Sequence, residues 1–271
     1  MEKEKVERDF NNVLNFGGME EIEDKYFYLD KAYEAETEEE AKRYAKKALK
    51  LDGRCIEAEL LLLDLADYTP EEYMKRLQKI IDKEKDCLVE EGFFAEECIG
   101  QFYGIFETRP YMRALNELFM LYQTVGKYRK ALAIGEELLR LNKNDNLGVR
   151  YSMITIFALL EERQKCEDLY KEYEEDTVAM LLPLVALYYK VEDETNSKRY
   201  IKKLYKANNN IKRFLEEELS EEELEEYNPE RGIRMGNLEE VLEALEYGSS
   251  LYLSSPGFFP WLKIKLRKIL K

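Results

Sequence analysis

Between residues 32 and 51 the chain reads AYEAETEEEAKRYAKKALKL, and between 121 and 141 it reads LYQTVGKYRKALAIGEELLRL. In each, an aromatic closes one periodic stretch, a short polar turn follows, and a second stretch repeats small or apolar residues at i+4 and i+7. The series are Ala41, Ala45, Ala48 and Ala131, Gly135, Leu138. That spacing puts each series on one helical face. Small side chains there predict two antiparallel helices in close approach. Leu49, Leu51, Leu139 and Leu141 then close the next interface. Weaker copies appear at Cys166, Tyr170, Tyr173 and at Ser197, Ile201, Leu204. The steps from Ala131 to Cys166 to Ser197 are 35 and 31 residues. They bracket the 34-residue period of a helix–turn–helix repeat.

A further pair is predicted from an apolar helix over Ile56–Leu65 and a second helix over 70–84, opened by Thr69-Pro70-Glu71-Glu72. Threonine caps a helix and proline is tolerated in its first turn. Thr37 with Glu40 and Ser220 with Glu223 have capping-box spacing. Asn237 and Glu240 open a helix with Leu238, Val241, Leu242 and Leu245 on one face. Residues 85–110 carry Gly92, Gly100, Gly104 and many aromatics without a 3.6 period, which predicts a short helix and an irregular joint. Residues 228–236 read as a loop. An exposed array end needs a cover, so 237–271 is expected to cap the stack.

Tyr122, Gly126, Tyr128, Ala131 and Leu138 in one copy, and Ala41, Ala45 and Ala48 in another, resemble the tetratricopeptide repeat family over roughly residues 20–210. The repeat-ending proline is replaced by Gly53, Lys143 and Asn209, and a small residue of the first helix by Phe119. ETRPYMRA before a repeat, NKNDNLGVRY between two repeats and a terminal SPGFFPWL further resemble a bacterial group, the suppressor-of-tumorigenicity-seven-like proteins. That likeness implies a scaffold and supplies no catalytic residue or cofactor. The expected fold is all-α: a right-handed α-solenoid of about five helical pairs with a C-terminal helical cap. The expected parts are 1–84 (N-terminal helix and two repeats), 85–110 (joint), 111–210 (three repeats) and 211–271 (acidic and capping helices).

Composition narrows the chemistry. The 271 residues include 57 acidic and 42 basic side chains, a net charge of −15, which argues against nucleic acid as a partner. There is no histidine, which removes Ser–His and Cys–His dyads and histidine metal ligands. Cys55, Cys87, Cys98 and Cys166 form no C-x-x-C and are read as reduced packing residues. No metal and no cofactor is expected. The charged MEKEKVERDF is unlike a signal peptide. The longest apolar run, Val178–Tyr189, contains Pro183 and is too short to span a membrane, so the chain is expected to be cytoplasmic.

Candidate recognition residues follow from the family geometry, in which the first helix of each pair lines an inner groove. Arg113, Asn116, Met120 and Gln123 share one face, Arg150 and Tyr151 come from the next first helix, and Tyr189 and Lys190 from the one after. Two arginines from adjacent repeats are suited to gripping a carboxylate. The plainer reading is a helix start capped by Thr108, with Pro110 in its first turn and Arg113 paired to Glu117. Asn144-Asp145-Asn146 lacks the ligand spacing of a calcium loop and reads as a turn and cap. Acidic 216–226 reads as a solvated face, or a surface for a basic partner. The basic, amphipathic WLKIKLRKILK is read as docking on the last repeat rather than on lipid. The expected function is a non-catalytic interaction scaffold for a peptide or partner protein. The alternative is a peptide-sensing regulator.

Overall fold

The computed structural model describes residues 23–217, 219–220, 222–223 and 234–271. The charged leading stretch, most of the 228–236 loop and part of the acidic run 216–226 lie outside the described residues. The described chain is all-α, with fourteen α-helices and one 3-10 turn. They are α1 (Lys25–Tyr33), α2 (Glu38–Leu51), α3 (Ile56–Asp64), α4 (Pro70–Glu90), a 3-10 turn (Phe102–Gly104), α5 (Arg109–Thr124), α6 (Tyr128–Leu141), α7 (Val149–Leu159), α8 (Arg163–Tyr173), α9 (Val178–Lys190), α10 (Glu194–Ala207), α11 (Asn210–Glu216), α12 (Leu238–Tyr247), α13 (Ser249–Leu253) and α14 (Phe258–Ile269). The helices divide into two compact units, one ending at Leu118 and one starting at Phe119.

In the first unit α2 pairs with α1 and with α3, and α3 pairs with α4. Ala45, Ala48 and Ala58 are fully buried, as small residues at a close helix crossing must be. Thr37 caps α2 by accepting from the Glu40 amide, and Thr69 with Glu72 forms a complete capping box at α4. Helix α4 runs on to Glu90, past the expected end at 84, because Ile81 and Leu88 continue its buried stripe. Gly92, at φ 87°, then turns the chain, with Phe93 N donating to Leu88 O at 2.9 Å. The joint that follows is irregular, and its aromatics pack on one another. Phe94, Phe102 and Tyr111 meet with centroids 5.1 to 6.4 Å apart. Thr108 is buried at the start of α5, and its hydroxyl donates back to the Phe102 and Ile105 carbonyls.

In the second unit one helix–helix turn occurs three times. The amides of Lys127, Glu162 and Asp193 donate to the carbonyls of Tyr122, Phe157 and Tyr188, at 2.7, 2.9 and 3.0 Å. The residue just before each donor is left-handed: Gly126 (φ 71°), Glu161 (φ 59°) and Glu192 (φ 54°). Five residues beyond them lie the buried Ala131, Cys166 and Ser197. The 35- and 31-residue steps read from the side chains are thus also steps of the backbone. Phe119, standing where the family resemblance expects a small residue, is buried beside Gly135.

Helices α7 and α9 lie side by side. Each also contacts α8, and α7 contacts α6 while α9 contacts α10. On them rest α12 and α13, while α14 packs on α10 and α11. Every residue of α9 from Val178 to Tyr188 is therefore buried, Pro183 among them. A helix apolar on all sides needs cover on all sides, and the C-terminal helices provide part of it. No helix among the described residues is long and apolar enough to cross a membrane.

Candidate interaction site

The expected recognition residues are divided between the two units. In the first, Arg113 is 59% exposed and reaches Glu57 at 3.9 Å. Glu117, spaced to pair with Arg113, instead meets the Tyr73 hydroxyl, which also contacts Asp64. Burial raises the pKa of the Glu117 carboxyl, and burial with these two hydrogen bonds raises that of the Tyr73 hydroxyl. Asn116 is half-buried.

In the second unit, Met120 and Gln123 line a cleft of about 400 Å3 with Tyr128, Ser152, Tyr247 and Ser249. The cleft thus adjoins the C-terminal helices. Tyr151 lies against Tyr247, centroids 5.5 Å apart. Tyr189 lies against Trp261 and Phe258, at 4.9 and 5.7 Å. A Cβ at Gly257 would come within 2.7 Å of the Tyr189 hydroxyl, so this glycine lets the SPGFF turn seat on α9. Lys190 donates to the carbonyls of Ala158 and Leu159, at 3.3 and 2.6 Å, and closes the end of α7.

Arg150 has an internal role. Its Nη1 donates to Asp145 Oδ2 at 2.9 Å, its Nε to Glu175 Oε2 at 2.9 Å and its Nη2 to the Tyr151 hydroxyl at 2.5 Å. Its guanidinium also lies over the rings of Tyr151 and Tyr173. Asp145 accepts from the amides of Val149 and Arg150 as well, and so caps α7, as the turn reading of 144–146 expects. Burial raises the pKa of the Asp145 carboxyl, against the opposing pull of these donors. This ion cluster locks the entry to α7, and its fork is already filled by the chain's own carboxylates. The carboxylate grip expected of Arg113 with Arg150 therefore has no free guanidinium at Arg150.

The C-terminal helices are held by a buried carboxylate. Glu240 on α12 is 3% exposed. It accepts from the Val178 amide at 2.8 Å, the Gly236 amide at 2.7 Å and Asn208 Nδ2 at 3.0 Å. A carboxylate at the N-terminus of α9 is favoured by that helix's free amides and dipole. Lys263 and Arg267 of α14 pair with Glu216, and Lys265 pairs with Glu194. The basic face of WLKIKLRKILK is thus met by acidic residues of α10 and α11.

An open surface lies in the first unit, between α3 and α4. Leu60, Leu61, Leu62 and Leu65 are half-buried, Leu61 and Leu62 packing against the core of Tyr28, Leu29, Ala45 and Ala48, in a stretch as leucine-rich as any in the chain. Leu62, Leu63, Tyr68 and Ile80 form the apolar part of a cleft of about 390 Å3. Glu59, Arg76, Lys79 and Lys83 border it. Lys83 donates to Glu59 at 2.6 Å, and the Arg76 guanidinium stacks 4.2 Å over Tyr68. The sequence signal for this place was present but unused: cations at i, i+3 and i+7 of α4, beside a run of four leucines. Farther along α4, Asp52, Glu57, Glu84, Glu91 and Glu107 share a smaller cavity with Lys25 and Arg54. There burial, with Glu57, Glu91 and Glu59 nearby, pushes the Glu84 carboxyl up to about 7.

Among the described residues no three side chains of metal-ligating type converge. Cys55 and Cys166 are buried, Cys87 and Cys98 half-buried, and all four are free thiols. No protein-family model matches the sequence, and no characterised protein or solved structure matches it either.

Proposed function

We propose that this chain is a non-catalytic interaction protein. In this reading it is a right-handed α-solenoid of tetratricopeptide-like hairpins, with α12–α14 as its terminal cap, and it recruits a protein or peptide partner. The thrice-repeated turn before Ala131, Cys166 and Ser197 supports the architecture. The single observation that carries the function is the open, partly apolar cleft between α3 and α4. Leu60, Leu61 and Leu62 of α3 are only half-buried beside that cleft, whereas Leu181, Leu182, Leu184 and Leu187 of α9 are fully buried. A contiguous apolar patch left open marks a surface for a partner.

The test is reconstitution. The full-length chain is immobilised, its partner is captured from native lysate, and the two purified proteins are mixed and run by size exclusion. A one-to-one or other fixed-ratio complex is expected. If no purified protein co-elutes with the chain, the reading is wrong.

A further inference from the structure

Resting on that reading, we propose that the α3–α4 cleft takes an acidic, amphipathic segment of the partner, apolar on one face and carboxylate-bearing beside it. The inner surface of Leu62, Leu63, Tyr68 and Ile80 calls for apolar side chains. The border calls for anions. Arg76, Lys79 and Lys83 follow one another along a single face of α4 over about 10 Å, two turns of helix. Glu59 neutralises only Lys83, and among the described residues Arg76 and Lys79 have no carboxylate within ion-pair distance. The Tyr68 ring holds the Arg76 fork in place, which favours a planar carboxylate as its ligand.

Such a cationic border is unusual on a chain with net charge −15. It makes the cleft a local exception that selects acidic segments, while the surrounding field repels extended polyanions. The neighbouring cavity lined by Glu84 and Glu91 disfavours any acidic segment that docks there instead.

The probe is a labelled fifteen-residue helical peptide of leucine and glutamate, with leucine at every third or fourth position, titrated against the full chain by fluorescence anisotropy. Two controls replace its glutamates by lysine or its leucines by serine. The acidic amphipathic peptide is expected to bind at least about tenfold tighter than either control, and more weakly as salt is raised. Arg76→Glu with Lys79→Glu should weaken it by about tenfold or more, with urea unfolding near wild type because both side chains are exposed.

Equal binding by the double variant, a preference for the lysine peptide, or no binding at all would each overturn the assignment. So would a dimer in sedimentation that the double variant dissociates, since a second copy would then fill the cleft. These failures are separable from failure of the wider reading. A reconstituted partner complex that survives the double substitution removes the cleft but keeps the interaction protein, whereas absence of any partner complex removes both.

Discussion

Helices α3 and α9 are both rich in apolar residues, yet they meet different surroundings. In α9 eleven consecutive residues, Val178–Tyr188, are buried. In α3 only Ile56, Ala58 and Leu63 are. The difference lies in what the rest of the chain supplies. Helices α7, α8, α10, α12 and α13 all contact α9, whereas the open side of α3 faces a cleft bordered by cations. Apolar content sets the need for cover, and distant segments decide whether it is met within the chain.

The contrast predicts unequal costs for the same truncation. Leu184→Ala in α9 should destabilise by about 3 kcal/mol, the range for a fully buried leucine. Leu62→Ala in α3 should cost less, about 1 to 2 kcal/mol, because part of its surface already meets water at the cleft. Urea unfolding of the two variants decides the matter, and equal costs would erase the distinction. The cover over α9 should depend on Glu240. Glu240→Ala leaves the Val178 and Gly236 amides and Asn208 Nδ2 without their acceptor, at a cost of about 2 kcal/mol. Limited proteolysis should then cut first within 234–257.

Repeat geometry was legible in the sequence because it is local. Ala131, Cys166 and Ser197 announce a close crossing whatever lies farther away, and Thr69 with Glu72 specifies its own helix start. The fate of the candidate recognition residues was not legible. Arg150 is claimed by Glu175, and Tyr189 by Phe258 and Trp261, across 25 to 72 residues of chain that no period connects. The Glu240 contacts to Val178 and Asn208 are likewise long-range, and its place after Asn237 suggested only a helix start. The open cleft was legible in part: the leucine run and the cation stripe were visible, but not that they face one cavity.

Two smaller effects follow. Glu84 holds its proton up to about pH 7 in the folded chain, against an ordinary value of 4.5. The folded state therefore binds more protons between these limits, and stability falls as pH rises through that window. Glu84→Gln should stabilise by about 1 kcal/mol at pH 8, after allowance for solvent screening, and by little at pH 4.5. Urea midpoints at the two pH values measure this. In the second unit, Glu192→Gly should stabilise by about 0.5 kcal/mol, since glycine occupies the left-handed turn at lower cost, as Gly126 does in the first of the three turns. A rise of a few degrees or less in the thermal midpoint is the expected readout.

Hydrogen exchange of the full chain, alone and with the acidic amphipathic peptide, tests whether recognition belongs to α3 and α4. Amides of 178–188 and 238–247 should exchange slowly and stay unchanged on adding peptide, while those of 56–66 and 73–83 should slow. Protection that instead falls on 149–190, with 238–247 released, would contradict the account and return recognition to α7 and α9.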